Sequence, residues 1–480
     1  MNVKDDNNVN KKYKNVPPDG GWGYMIAFAV IILSSTSTAF VSSYGLLFKE
    51  FLRDIGGSSH DVSLIPSVAV TCTALAGFLT NPLLSLMSHR MLTLVAVLIF
   101  NTGVVCIIFV KSVFTFHICY GILQGLGLGF MYNLSCSILN DYFVKRPLMI
   151  ISLIQSVVAI SSMMAPLLIK WSLDRYGFRD TMILLSGLTL HNFIAVTLMH
   201  PAKWHMKKVE IDSTNEKFLP EKQQSEDLSA IPIIKLTNAD GNILNVNDKL
   251  YLADNDGTGI NFRKIINLLV DKSLYEGFLL SCVCAGPALA LFADTTYSSI
   301  LSQALKTAGW VKDNVALANT LYNIGDLVMR LLFFVLSNWL HKFGSQELYV
   351  LGVTLGLVSR LGMLWSKSYI AIMIYISLVG ASHCAVTILV PLVVGDAVPA
   401  KKFTSALGML MMLTGIVNLV LGPAIGAVRD LSESYGPVFY LIASCFAIIV
   451  LFWSIEMCYK KNKHKRLQRR EYLRQKKLNK

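Results

Sequence analysis

Residues 369–394, with the sequence YIAIMIYISLVGASHCAVTILVPLVV, contain no Asp, Glu, Lys or Arg. An α-helix needs about 20 apolar residues to cross the ~30 Å hydrocarbon core of a bilayer, so this stretch is long enough to span one. Inside hydrocarbon the backbone polar groups find no water, and a helix satisfies them within the segment itself. The stretch therefore predicts a transmembrane helix.

Similar apolar stretches recur along the whole chain. Of the 480 residues, 54% are hydrophobic and only 15% are charged, whereas about a quarter of the residues of an average soluble protein are charged. This balance is typical of a membrane protein and argues against a soluble enzyme. Breaks at charged or turn-rich positions divide the apolar residues into twelve predicted spans, near 22–46, 62–85, 91–110, 114–138, 148–170, 180–199, 274–297, 314–337, 347–365, 369–394, 403–424 and 435–458.

One long polar stretch divides these spans six and six. Residues 200–271 are rich in charged and amide side chains and poor in aromatic ones, which predicts a flexible central loop. Two six-helix halves around such a loop resemble the plan of the major facilitator superfamily, whose halves rock about a central site. The predicted fold class is all-α, with twelve transmembrane helices in two six-helix bundles. The predicted segments are an N-terminal tail at 1–21, an N-terminal bundle at 22–199, a central loop at 200–273, a C-terminal bundle at 274–458 and a basic tail at 459–480.

The positions of Lys and Arg predict the orientation. Cytoplasmic segments of membrane proteins carry an excess of these residues, and here basic groups precede the first span and follow the second, fourth and tenth. The tail at 459–480 is strongly basic and has a single acid, Glu471. We expect a multi-pass plasma-membrane protein with both termini in the cytoplasm and the tail against anionic lipid. Because the net charge of +13 collects in tails and short loops, it predicts no nucleic-acid partner.

Short motifs in both halves resemble those of a known family. The first span is entered through DGGWGY at 19–24, the fourth and fifth spans are joined by DYFVKRPL at 141–148, and the eleventh contains SALG at 405–408. Together they resemble the monocarboxylate transporter family. The resemblance implies a secondary or facilitative carrier of small organic solutes, above all monocarboxylates or related carboxylate-bearing compounds, that works by alternating access. It also implies an organic-anion or amino-acid-like substrate and, as for some members, a single-span glycoprotein chaperone.

The eighth predicted span holds the most informative charged residues. Asp326 and Arg330 stand four residues apart, so they share a helix face and can form an ion pair. An ionisable group near the bilayer centre costs about 2.5–3.5 kcal/mol on insertion scales, and such groups usually mark a substrate or ion route. A structural charge pair between helices is the alternative.

The resemblance implies that an acid and an arginine at this spacing belong to the transport site. Arg330 is the candidate for binding a carboxylate through its planar fork. Asp326 would hold Arg330 in the empty site and could exchange a proton. Ser42, Tyr44 and Asn323 complete the predicted substrate-binding set.

A second group of charges is predicted on the cytoplasmic side. Asp19 is complementary to Lys145 and Arg146, and we predict that it pairs with them in one transport state and releases them in the other. A plain membrane-entry anchor around Trp22 is the alternative. Asp396 is a second candidate partner for Arg330, or else a structural residue at the cytoplasmic edge.

Other polar residues and small residues also fall in the spans. Glycines at 125, 127 and 129 predict close approach of neighbouring helices. For the histidines, a hydrogen-bonded packing role is preferred over a proton relay. The polar residues in or near spans are Asp294, His191, Asn192 and His383.

One departure from the family pattern bears on energy coupling. Proton-coupled members of the family carry a lysine in the first span, and alignment from Trp22 to Phe48 places Ser42 at that position. The missing basic group argues against proton coupling and against a lactate-sized substrate, and the sequence is more similar to divergent members that carry larger or zwitterionic solutes. Proton coupling and facilitated diffusion both stay open. A non-transporting receptor or scaffold with the carrier fold is the alternative function, and a channel is a third. No cofactor or metal site is predicted, and no nucleophile and base arrangement suggests an enzyme.

Overall fold

The computed structural model describes residues 13–210, 275–279, 281–340, 342–432 and 434–478. The chain separates into two compact units. In the unit made of Met1–Val16 and Lys207–Asp271, the described part is an antiparallel pair of strands, β1 (Tyr13–Val16) and β2 (Lys207–Glu210), with Tyr13 opposite Glu210. These strands were not predicted, because two four-residue strands carry too little periodicity to stand out from loops. The predicted flexible loop lies mostly outside the described residues.

The other unit, Pro17–Met206 with Lys272–Lys480, contains the membrane-spanning helices. In its first half, span 1 is followed by a short helix, Tyr44–Asp54. Span 4 begins with one α-helical turn, Val113–Phe116, and continues through a π-helical segment, His117–Gln124. The bounds are Trp22–Ser42 for span 1, Ser59–Leu84 for span 2, His89–Ile107 for span 3 and Val113–Tyr142 for span 4, with spans 5 and 6 together in Pro147–Leu198.

Gly177 separates spans 5 and 6. Its φ of 77° lies in the left-handed region, which glycine adopts without the steric cost that a Cβ brings. The helix Pro147–Thr189 therefore kinks at this residue, which divides it into two helical segments. The predicted break, between 170 and 180, contains it.

The second half repeats the six-span plan. Spans 7 to 12 are Cys282–Thr307, Lys312–Val335, Ser345–Trp365, Tyr369–Ala397, Phe403–Ser432 and the first part of the helix Gly436–Leu478. Span 7 was predicted at 274–297. These bounds are wrong, because the helix runs from Cys282 to Thr307 and the described residues before it, Tyr275–Leu279, form a separate π-helical turn.

Hydropathy alone undercounts these spans. Among the described residues, nine stretches are long and apolar enough to cross a membrane, and Pro147–Leu198 counts once although it holds two spans. Spans 7 and 8 are not among the nine, since they carry more polar residues. The predicted all-α fold class, with twelve transmembrane helices in two six-helix bundles, is confirmed.

Each half has an apolar core of its own. In the first half it is built around large side chains such as Phe48, Phe100 and Phe116, and in the second around Phe292 and Phe446. Large apolar side chains also remain exposed on the outside of the helices, where lipid replaces water as the solvent. The cores make each half a packed body, as a rocking mechanism requires.

Small residues bring neighbouring spans together. A Cβ on Gly127 would lie 2.7 Å from Phe100 of span 3, and one on Gly129 would lie 2.2 Å from the carbonyl oxygen of Thr73 in span 2. The predicted close approach at these glycines is thus confirmed. Spans 8 and 10 meet more tightly still, because a Cβ on Gly380 would lie 1.9 Å from the Tyr322 carbonyl oxygen.

The two halves meet mainly toward one face of the bundle, the face at which span 1 begins and span 12 leaves, here called the tail face. Ser137 of span 4 and Thr404, near the start of span 11, share a hydrogen bond of 2.7 Å. Leu148, near the start of span 5, packs into the core of the second half. Toward the opposite face, here called the far face, Leu419 and Val420 of span 11 are exposed.

Trp22 fixes the start of span 1 at the tail face. Its indole nitrogen donates to the carbonyl oxygen of Leu198 at 3.1 Å, which ties span 1 to the end of span 6. The imidazoles of His200 and His205 stack on the indole, with ring centroids 4.6 and 5.2 Å away. Burial, followed by the charges of His205 and Arg90, lowers the pKa of His200, so a neutral imidazole is favoured in this stack.

The tight contact of spans 8 and 10 yields a stability prediction. We expect Gly380→Val to lower the thermal unfolding midpoint of the purified protein, because the added side chain overlaps the Tyr322 carbonyl, and overpacking costs about 1–3 kcal/mol. Gly422→Val is the matched control, since a Cβ there meets nothing within 4 Å. Equal midpoints for the two variants would refute the close packing.

Candidate transport site

Arg330 of span 8 is 6% exposed and links two interactions. Its Nε donates to Oδ2 of Asp326 at 2.8 Å, one helical turn earlier in the same span. Its Nη1 donates to Oε1 of Gln155 in span 5 at 3.1 Å. Arg330 therefore forms an ion pair within the C-terminal half and a hydrogen bond to the N-terminal half.

Several polar atoms around Arg330 have no partner in the described part of the chain. Oδ1 of Asp326 and the hydroxyl of Tyr322 are buried and accept or donate no hydrogen bond. Nη2 of Arg330 also has no described hydrogen bond. A buried polar atom without a partner costs about 1–3 kcal/mol, so this group of donors and acceptors is suited to a polar ligand.

The remaining predicted binding residues fall in two places. Asn323 is exposed and lies on the helix face of Asp326 and Arg330, three and seven residues before them. Ser42 is the last residue of span 1, and its hydroxyl donates to the Ala39 carbonyl at 3.2 Å. The ring of Tyr44 packs against aromatic rings of the first half, Tyr120 among them at 4.9 Å. No described hydrogen bond or ring contact joins Ser42 or Tyr44 to Arg330.

Asp19 binds main chain rather than side chains. Its Oδ1 accepts from the amide nitrogens of Val144 and Lys145 at 2.8 and 2.9 Å, and its own amide donates to the Tyr142 carbonyl at 3.2 Å. In the described residues no ion pair joins it to the Lys145 or Arg146 side chain, both of which are exposed. The carboxylate thus caps the turn between spans 4 and 5. Its predicted role in gating stays a prediction.

Asp396 lies at the tail-face end of span 10 and is exposed. Its carboxylate accepts a hydrogen bond from the hydroxyl of Ser345, the first residue of span 9. Among the described residues Arg330 bonds to Asp326 and Gln155, and the pairing of Asp396 with Arg330 stays a prediction. Sequence reasoning did not connect Gln155 with this site, because the two residues are 175 positions apart.

A second charged cluster lies deeper in the C-terminal half. Asp294 of span 7 is fully buried, and its Oδ1 accepts from Nη2 of Arg360 in span 9 at 2.6 Å. Its Oδ2 accepts from Nδ1 of His383 in span 10. Asp294 and His383 were noted from the sequence, whereas Arg360 was missed. The signal was present, because Arg360 is an arginine inside an apolar span.

The cluster is closed on the Arg360 side. The guanidinium lies between the rings of Tyr297 and Phe446, with its central carbon 4.8 and 4.0 Å from their centroids. Its Nη1 donates to the Gly356 carbonyl at 3.1 Å. Cation–π contact of this kind contributes about 2 kcal/mol or more where water is excluded. Arg360 and Asp294 therefore form a fixed, dry pair.

Comparison with known proteins agrees with this architecture. The chain matches the family model for the Major Facilitator Superfamily over residues 25–240 and 283–478. Among solved structures, the human organic anion transporter MFSD10 (TETRAN) covers 90% of this chain with a TM-score of 0.61 at 13% identity, and 99% of that chain is matched. The transporter FucP in its outward conformation covers 91% of this chain, with 99% of its own matched, a TM-score of 0.58 and 12% identity.

The chain belongs to the Major Facilitator Superfamily and is a membrane transporter rather than an enzyme. It is similar to monocarboxylate transporter 1 of Rattus norvegicus, with 25% identity over 441 residues, 91% of this chain and 84% of the relative. It is also similar to monocarboxylate transporter 3 of Gallus gallus, with 23% identity over 448 residues, 91% of this chain and 78% of the relative. The resemblance to a divergent member of that family is confirmed.

The ion pair at Arg330 yields a second stability prediction. We expect Asp326→Asn to destabilise the purified protein by about 3–5 kcal/mol, because it leaves the Arg330 guanidinium buried without its counter-charge. Asp313→Asn, at an exposed position at the start of the same helix, is the control and should change little. Chemical denaturation in detergent would measure both, and similar losses would argue against a buried pair.

Proposed function

We propose that the chain carries small monocarboxylates, or related organic anions, across the plasma membrane by alternating access. The observation that supports this most is the Arg330 site, because no described residue bonds to Nη2 of its guanidinium, which lies beside an ion pair that a substrate can rearrange. A substrate carboxylate takes up two N–H groups of Arg330, as planar guanidinium and carboxylate groups do in bidentate pairs. Asp326 then releases the Arg330 guanidinium. Whether the hydrogen bond between Arg330 and Gln155 is kept depends on the transport state.

The position of Gln155 gives binding a means to move the halves. Its bond to Arg330 is made between span 5 and span 8, so a substrate that competes for Arg330 weakens a contact between the two halves. A ligand shifts a conformational equilibrium only through a difference in its interactions with the two states. The tail face is taken as cytoplasmic, which makes the described arrangement closed toward the cytoplasm.

Uptake measurements test this function. The panel of labelled solutes is lactate, pyruvate, aromatic amino acids, creatine and carnitine. In cells expressing the chain at matched surface levels, we expect at least one of these carboxylate-bearing solutes to enter. Arg330→Ala should abolish that uptake, and Arg330→Lys should reduce it at least about tenfold, because lysine keeps the charge and loses the fork.

Lys367→Ala is the control variant, since Lys367 is exposed in the connection between spans 9 and 10. Full uptake by Arg330→Ala would exclude Arg330 from the site. If no solute of the panel enters cells that express the unchanged chain, a non-transporting receptor or scaffold becomes the better-supported function.

The proposed orientation has its own test. An epitope tag placed after Lys480 should be reached by antibody only after the plasma membrane is permeabilised, whereas a tag placed beside Gly309, between spans 7 and 8, should be reached in intact cells. The reverse pattern would show that the tail face is extracellular. Co-precipitation of a single-span glycoprotein from the same cells would identify a chaperone.

A further inference from the structure

His383 is the member of the second charged cluster that remains accessible. Its side chain is 23% exposed, whereas Asp294 and Arg360 are each 1% exposed. Because an ionised carboxylate only accepts hydrogen bonds, the contact with Asp294 makes Nδ1 of His383 the donor. The neutral imidazole then carries its lone pair on Nε2, and no hydrogen bond to Nε2 is present in the described residues.

The contact between spans 8 and 10 places His383 beside the Arg330 site. Gly380 lies against the Tyr322 carbonyl, and one turn further along span 10 the His383 ring lies 5.8 Å from the Tyr322 ring. Tyr322 in turn precedes Asp326 by one turn of span 8. The titratable and charged groups around His383 are Asp294 from span 7, Tyr322, Asp326 and Arg330 from span 8, Arg360 from span 9 and Cys384 on span 10 itself.

These groups are balanced in charge when His383 is neutral. Two carboxylates, Asp294 and Asp326, face two guanidinium groups, Arg330 and Arg360, and both pairs are buried. An added anion alone would leave the site with a net negative charge, which is costly in a medium of low dielectric constant. One proton taken up at the same site removes this cost.

We propose that His383 is the residue at which this carrier binds a co-transported proton, with Asp294 and Arg360 as positioning residues. This rests on the proposed function at Arg330. A proton from water adds to the Nε2 lone pair, no other bond changes, and the resulting imidazolium keeps its Nδ1 hydrogen on Asp294. The same proton leaves Nε2 to water on the opposite side after the substrate has gone.

The cluster explains how a proton site exists without a lysine in span 1. Ser42 supplies no titratable group at that position, whereas His383 supplies one in span 10. Both oxygens of Asp294 are occupied by Arg360 and His383, so the carboxylate is held in place as a permanent counter-charge for the imidazolium. The substrate carboxylate and the proton then cross together, and the site has no net charge while both are bound.

Purified full-length protein in proteoliposomes tests the proposal with labelled L-lactate and pyruvate. Exchange of internal for external anion at equal pH needs no net proton movement, whereas uptake driven by an acid exterior does. We expect the unchanged protein to show both, with uptake stimulated at least about fivefold by the gradient. His383→Lys should keep exchange within about twofold and lose the stimulation, because its ammonium group supplies the positive charge and can donate to Asp294 but stays protonated over this pH range.

His191→Asn is the matched control, since His191 is an exposed histidine within span 6, and it should retain both activities. Stimulation that survives in His383→Lys, or exchange without stimulation in the unchanged protein, would overturn the proposal. Loss of exchange in His383→Lys would do the same, because it would indicate a structural role of the imidazole that a positive charge at this position does not replace.

If the unchanged protein exchanges neither anion, the proposed function fails for these substrates, and the proton site is tested separately. Diethyl pyrocarbonate reacts with neutral imidazole, so His383 of the full chain in nanodiscs should be labelled at about pH 8 and more slowly at about pH 5.5, as read by mass spectrometry. An unlabelled His383 at both pH values would exclude a water-accessible Nε2.

Discussion

Charges inside a membrane must be paired, and the pairing of Arg330 with Asp326 is the interaction on which the rest of this site depends. At 2.8 Å and within one helical turn, the pair makes a buried guanidinium tolerable in span 8. It also leaves that guanidinium with donors to spare, one of which reaches Gln155 in the other half. A single side chain thereby connects charge neutralisation, the junction of the halves and the candidate binding edge.

The second pair, Asp294 with Arg360, serves a different purpose. It is sealed by aromatic rings and a main-chain carbonyl, so it has little freedom to rearrange. Such a fixed pair is suited to orienting a neighbour, and its neighbour is the half-buried His383. The C-terminal half thus contains one charge pair that can exchange partners and one that cannot, while the first half contributes an amide, Gln155, and apolar and hydroxyl side chains.

Much of the architecture was predictable because the bilayer imposes a length and a polarity on each span. The six-and-six division, the positions of eleven spans and the close approach at Gly127 and Gly129 follow from such local patterns. Span 7 was placed too early, because Phe278 and Leu279 are apolar like the residues of the span but belong to a separate π-helical turn before Cys282. The strands β1 and β2 were missed for the opposite reason, since their stability depends on pairing between residues nearly 200 positions apart rather than on a pattern within either one.

By itself the sequence determined the membrane class, the twelve spans and the face of span 8 that carries Asp326 and Arg330, because each of these follows from spacing along one helix. Only the tertiary structure decided which residues from different spans meet. Gln155 with Arg330, and Arg360 with Asp294 and His383, are brought together by glycine contacts and by the packing of five spans, and no single helix contains that information. The same limit applied to Asp19, whose charge suggested side-chain partners and whose turn geometry directs it to the amides of Val144 and Lys145.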